Sequence, residues 1–234
     1  MGRREQYLDR LGIVRWTLRD ATPVPESAAP VELPAQAGEA APAARADAAS
    51  WDELRAQVRD CTACGLHAGR TQTVFGVGNV DADWMIIGEA PGAEEDRQGE
   101  PFVGRAGKLL DAMLKAAGFD REQVYIANIL KCRPPNNRDP RPEEAAACSG
   151  FLRQQIERVA PTLILCVGRI AAQNLLGTDA PAAKLRGRVH HHPDTGTPVV
   201  VTYHPAYLLR SPQEKRKAWE DLKLALRVAA EQPQ

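Results

Sequence analysis

Four short apolar runs punctuate the chain, at 84–88 (WMIIG), 124–130 (VYIANIL), 162–168 (TLILCVG) and 198–203 (PVVVTY). Each is rich in β-branched residues and reads as a strand. Between and after them the apolar positions change to a helical period, over 105–117, 142–159, 169–176 and 213–230. In the first of these, Leu109, Leu110, Met113, Leu114 and Ala117 share one face, and Gly118 stands where a helix tends to stop. The second opens with Pro142, Glu143 and Glu144, a favourable first turn. Strand–helix alternation of this kind predicts an α/β fold, a three-layer αβα sandwich around a central four-stranded, mainly parallel sheet. Such sheets bind ligands beyond the carboxyl ends of their strands. Glu89, Asn128 and His204 all fall at those ends.

Ahead of this domain the pattern weakens. Residues 1–20 form a short extension in which Tyr7, Leu8, Leu11 and Val14 have helical spacing. Residues 21–50 contain 12 Ala and 5 Pro and read as a disordered or semi-extended linker. The folded domain is expected over 51–234, with Ser50 as the N-cap of its first helix and Glu53 as the capping-box partner.

Composition changes this picture little. The 234 residues are 44% hydrophobic and 26% charged, ordinary for a globular chain. No run approaches the ~18–20 apolar residues of a membrane span, and the start MGRREQYLDRLGIVRW has no secretory h-region. A cytoplasmic protein without membrane association is expected. Net charge is zero, so bulk electrostatics does not mark a nucleic-acid binder. Residues 150–234 nevertheless hold 12 basic and 7 acidic side chains, enough to supply a positive face.

The candidate chemistry is more specific. The turn after the first strand, GEAPG, has the outline of a phosphate-binding loop but carries Glu89 and then Glu94, Glu95 and Asp96 instead of a lysine. Carboxylates there would oppose a phosphate and favour a group that becomes cationic. Asn128 presents one donor and one acceptor, matched to a nucleobase edge. Phe102 offers a ring to stack on, and His204 a donor for an anionic leaving group. Together with a carboxylate, these groups suit cleavage of the bond between a base and its sugar. Of five cysteines, Cys166 lies inside a strand and reads as core. Cys61, Cys64, Cys132 and Cys148, spaced C-x2-C then C-x15-C, favour a metal site in an intracellular chain. Spacing alone leaves zinc and an iron–sulfur cluster equally open.

These segments carry a family resemblance. CTACGLHAGRTQTVFGVGN, GEAPGAEED, PFVGRAGKLLD, VYIANILKCRPPNNRDP and TYHPAYLLR, in that order from about Asp60 to Arg210, resemble the iron–sulfur uracil-DNA glycosylases of family 4. The resemblance implies a [4Fe-4S] cluster of structural role on Cys61, Cys64, Cys132 and Cys148, and uracil-containing DNA as the partner. It implies that Glu89 positions the attacking water and that Ala90 and Gly92 line the base pocket. Glu95 would crowd uracil C5, and Phe102 would stack on the flipped base. Asn128 would pair with O4 and N3–H, and His204 would donate to O2. RQGEPF at 97–102 lacks the basic, His-containing insertion of a covalently trapping relative, which implies turnover. Leu208 or Leu209 would wedge into the vacated stack. Arg210, the 215–217 KRK cluster, Lys131, Arg133 and Arg138 are candidates for phosphates. The consecutive His190, His191 and His192 are not expected to form a metal site, because neighbours on a strand face opposite ways.

The chain is thus expected to be a monomeric DNA-repair glycosylase that hydrolyses uracil from DNA and leaves an abasic site. Two other readings stay open at this level. One is a non-catalytic, metal-stabilised nucleic-acid-binding module linked to replication; the other is a glycosylase for a different deaminated base. No partner for the N-terminal extension can be named from sequence.

Overall fold

The computed structural model describes residues 48–231, so the expectations for the N-terminal extension and almost all of the linker lie outside the described residues. The first helix, α1 (Ala48–Arg59), begins two residues before Ser50, which therefore lies inside it and does not cap it. The strands are β1 (Val77–Gly78), β2 (Trp84–Gly88), β3 (Tyr125–Asn128), β4 (Leu163–Val167), β5 (Val189–His191) and β6 (Pro198–Thr202). The helices after α1 are α2 (Ala93–Gln98), α3 (Arg105–Ala116), α4 (Pro142–Val159), α5 (Arg169–Leu176), α6 (Ala182–Leu185), α7 (Pro205–Arg210) and α8 (Lys215–Ala230).

The sheet has six strands in the order β1-β3-β2-β4-β6-β5, not the four expected. β3, β2, β4 and β6 are the anticipated parallel core, while β1 and β5 add antiparallel edges. Two residues of β1 and the exposed, polar VHH of β5 were too short or too hydrophilic to produce an apolar run.

Side chains alternate between the two faces of a strand, and both faces are covered here. Met85, Ile87, Ala127, Ile164, Cys166 and Val201 pack with α1, α4 and α5. Trp84, Ile86, Ile126, Leu165, Val167 and Val200 pack with α3, α7 and α8. This is the three-layer sandwich, and it explains why the strand sequences are apolar throughout. Each fully buried Val, Leu or Ile contributes about 1.5–3 kcal/mol. The two cores flank the strands on both faces, and the strand ends carry the site. Among the described residues, no helix is long and apolar enough to cross a membrane.

Candidate active site

A cleft of about 590 Å³ opens at the carboxyl ends of β2, β3 and β6. Glu89 enters it from the turn after β2, Asn128 from the end of β3, and His204 from the residue pair after β6. Glu95 enters from α2, and Phe102 from the segment joining α2 to α3. Ala90, Gly92 and Arg210 also line it. The structure therefore gathers these sequence-predicted residues in one place.

The register explains how. Gly88 pairs with Asn128 in the parallel β2–β3 ladder, which continues through Ile129 N–H to Gly88 O at 2.9 Å and Leu130 N–H to Glu89 O at 3.0 Å. A Cβ on Gly88 would stand 2.4 Å from Asn128 Oδ1 and 2.5 Å from the tip of the Phe102 ring, so only glycine lets these two groups meet. Asn128 is 2% exposed, and its Oδ1 is buried without a hydrogen-bond partner. Such an orphan costs roughly 1–3 kcal/mol and points to a ligand that donates to it. The backbone of Asn128 is held from behind, where Lys131 Nζ donates to its carbonyl at 2.8 Å and to Gln155 Oε1 at 2.6 Å. Lys131 is 1% exposed and is thus a structural lysine, not a phosphate ligand.

Phe102 has φ of 55°, a conformation that costs a non-glycine residue about 1–3 kcal/mol. Its carbonyl lies where a Cβ on Gly107 would approach to 1.7 Å, so glycine at 107 admits the turn. The strained turn delivers the ring against His204, with centroids 5.7 Å apart and planes inclined by 31°. Glu95 helps to shape the same segment: its Oε1 accepts the N–H groups of Val103 and Gly104, each at 3.0 Å.

His204 caps α7, and its Nδ1 accepts the Ala206 N–H at 3.1 Å. That bond fixes the neutral tautomer with its proton on Nε2. Burial, with help from Arg210 and against the pull of Glu95, lowers its pKa to about 4. Glu89 moves the other way. Burial and the neighbouring Asp139 raise its pKa to about 7, opposed by Arg169. Arg169 itself pairs with Asp139 at 3.0 Å. A neutral imidazole donor and a carboxyl group poised near neutrality therefore share one cleft.

The two leucines of HPAYLLR separate cleanly. Leu208 is 1% exposed in the core beneath α8, which removes it as a wedge, whereas Leu209 is exposed. Tyr207, not singled out in the sequence, lines the cleft and packs on Tyr203 at 5.0 Å. Of the basic candidates, Arg210 and Arg138 line the cleft, as does Arg105. Arg138 is engaged with Glu144, Arg133 with Asn137, and Lys217 with Glu214. His190 bonds Leu185 O and His192 bonds Thr195, so the three histidines have separate partners or directions.

Cys61, Cys64, Cys132 and Cys148 line one small cavity between the segment after α1, the segment after β3 and helix α4. Three N–H groups point at sulfur: Arg70 Nη1 at 3.2 Å from Cys132, Lys131 N at 3.3 Å from Cys148, and Ala63 N at 3.5 Å from Cys61. Among the described residues, no group of three or more His, Cys, Asp or Glu is arranged to hold a metal ion. Four thiols around one void, with N–H donors aimed at three of them, are nevertheless a donor set that fits thiolate ligation of a cluster.

Sequence reasoning missed Gly88, Gly107, Asp139, Arg169 and Tyr207. Gly88 ends an otherwise bulky apolar run, but nothing in that run announces the contact it permits. Asp139, in the loop before α4, and Arg169, the first residue of α5, lie 30 residues apart, and nothing local announces their meeting.

A family model described as the uracil DNA glycosylase superfamily matches residues 75–223. The chain is 45% identical over 180 residues to a type-4 uracil-DNA glycosylase of Archaeoglobus fulgidus, covering 74% of this chain and 90% of that one. It is 47% identical over 172 residues to the type-4 enzyme of Thermotoga maritima, covering 72% and 89%. A type-5 uracil-DNA glycosylase of Pyrobaculum aerophilum is 33% identical over 149 residues, covering 56% and 64%.

Proposed function

This chain belongs to the uracil DNA glycosylase superfamily, and we propose that its cleft hydrolyses the N-glycosidic bond of uracil in DNA, leaving an abasic site for base excision repair. The observation that carries the assignment of roles is the orphaned Asn128 Oδ1 beside Phe102 and His204. Uracil N3–H would donate to that oxygen, and the amide NH₂ would donate to O4. Cytosine presents the opposite order at the same edge and leaves both groups unmatched.

Bond cleavage moves the N1–C1′ electron pair onto the base. His204 Nε2–H would meet the charge that builds on O2, acting as an oxyanion-hole donor in a dry site. The sugar becomes cationic, and ionised Glu89 stabilises it while orienting water towards C1′ and taking its proton. Phe102 stacks on the extruded base, and Glu95, tied over Gly92, closes the pocket edge near C5. Reaching the base costs a few kcal/mol of stacking and pairing. Exposed Leu209 would fill the vacated space, while Arg210 and Arg105, which line the cleft, would face the phosphates.

Cys61, Cys64, Cys132 and Cys148 would hold a [4Fe-4S] cluster. Bound there, it would tie Cys61 and Cys64 after α1 to Cys132 after β3 and to Cys148 of α4, with no redox part in hydrolysis. Cys132→Ser is expected to lower iron content in elemental analysis and to destabilise the fold by more than about 3 kcal/mol in chemical unfolding. Full stability in iron-free protein would exclude the cluster.

The function is tested with a uracil-containing oligonucleotide treated with alkali after incubation. Strand scission is expected; an intact strand at stoichiometric protein, with tight binding, would instead indicate a non-catalytic module. Competing hypoxanthine and xanthine substrates should be released far more slowly.

Glu89 gives a pH signature. Because its pKa is raised to about 7, its ionised fraction grows through neutrality, and kcat/KM should rise with an apparent pKa near 7. Glu89→Gln should abolish that limb. Asp139→Asn removes the like charge and should move the limb to lower pH. A raised carboxyl pKa also means that ionised Glu89 disfavours the folded state, so Glu89→Gln should melt at higher temperature than the wild type at pH 8. An unchanged pH–rate profile in Glu89→Gln would remove Glu89 from the chemistry.

A further inference from the structure

A second concavity lies away from the catalytic cleft, between α3 and α8. Leu109, Ala112 and Ala116 of α3 form one wall, Trp219 and Leu222 of α8 the other, and Leu208 part of the floor. Its volume is about 150 Å³. A small-molecule site usually occupies about 300–1,000 Å³, so this groove admits one or two bulky side chains and not a nucleotide. Trp219 is 39% exposed at its mouth, a large apolar group that the described residues leave partly uncovered.

The rims are positively charged. Lys215 lines the groove at the start of α8, and Lys108 and Lys115 stand one turn to either side of the groove-lining Ala112 on α3. All three are exposed, and among the described residues none is ion-paired with a carboxylate. The nearby carboxylates are occupied: Asp111 by Arg121 at 2.9 Å and Glu220 by Lys223 at 2.8 Å. An apolar floor between uncompensated lysines is complementary to a chain with the inverse pattern.

We propose that the α3–α8 groove is a docking site for a partner-protein segment that is acidic and carries bulky apolar anchors. DNA fits the charge but has no apolar side chain to fill the floor or cover Trp219. The groove and the cleft share helix α3 but no lining residue, because only Arg105 and Ala106 at the start of α3 line the cleft. Lys115 lies ten residues further along the helix, about 15 Å away. A docked segment would therefore leave the cleft open, so recruitment and uracil release can coincide.

The test uses a fluorescein-labelled amphipathic peptide of about a dozen residues, with leucine and phenylalanine on one face and acidic residues on the other. Saturable binding by fluorescence anisotropy is expected. It should weaken at least about 10-fold in Trp219→Ala, as at buried aromatic anchors, and about 3-fold or more in Lys115→Glu. It should vanish when serine replaces the peptide's apolar residues, and uracil release should stay unchanged in both variants. Absence of saturable binding, or binding indifferent to Trp219→Ala, overturns the proposal. So does a matching loss of affinity for uracil-free duplex DNA in Trp219→Ala, which would make the groove a nucleic-acid face. A change in sedimentation on Trp219→Ala would make it a self-association surface and overturns it equally.

Discussion

Asn128→Ala is expected to reduce kcat/KM for uracil release by roughly 10³-fold while leaving the fold intact. Two losses combine. The edge recognition of a bidentate amide contributes about 1–3 kcal/mol of discrimination. The amide NH₂ also faces O4, which shares the charge of the departing base, and one such donor typically changes kcat by about 10²–10³. In the free protein the balance has the opposite sign. Oδ1 is a buried acceptor without a partner, so deleting it relieves a desolvation cost, although it also leaves a small void. The variant should therefore melt close to the wild-type temperature in a circular-dichroism scan. Single-turnover kinetics on a uracil oligonucleotide measures the chemical step directly. A loss smaller than about tenfold would mean that the base edge is read elsewhere, and the proposed pocket would have to be abandoned.

The same residues show what sequence can and cannot convey. The parallel core was legible because strands covered on both sides are apolar at every position, as in WMIIG and LILCV. Glu89, Asn128 and His204 were legible because parallel strands place their carboxyl ends together, whatever lies between them in the chain. Contacts that depend on the absence of an atom were not. Nothing in GEAPG or AGK says that Gly88 keeps Asn128 against Phe102, or that Gly107 receives the Phe102 carbonyl. Lys131 reads as a surface cation until the turn after β3 drives it inward onto Asn128 O and Gln155. Leu208 and Leu209 are adjacent, and only the phase of α7, set by its start at Pro205, buries one and exposes the other.

Three unfavourable features converge on the cleft: an orphaned amide oxygen, a left-handed Phe102 and a carboxyl group pushed up to about 7. None stabilises the free protein. The two flanking cores hold them in place, which is the division of labour expected when a site is built for a charge distribution that exists only during reaction.

His204→Ala is the second large effect, expected at about 10²–10³ in kcat. The hydrogen-bond pattern decides which form of the imidazole acts. Nδ1 already accepts the Ala206 N–H, so the neutral ring carries its proton on Nε2; protonating Nδ1 would destroy the α7 cap. Burial and Arg210 hold the pKa down at about 4, so the ring stays neutral from pH 5 upwards. A depressed histidine pKa contributes stability that is complete above the unfolded value of about 6.5 and is lost as pH falls towards 4. Two measurements follow. The wild-type protein should lose stability between about pH 6.5 and 4, and His204→Ala should lose less over that window. In kinetics, His204→Ala should lower the whole pH–rate profile while keeping the acid limb of Glu89 near 7. A cationic histidine acting as a general acid predicts something different: an alkaline limb near 6.5 that disappears in the variant. Observing that limb would show that the proton is transferred to the base, and that His204 does more than hold a hydrogen bond to developing charge.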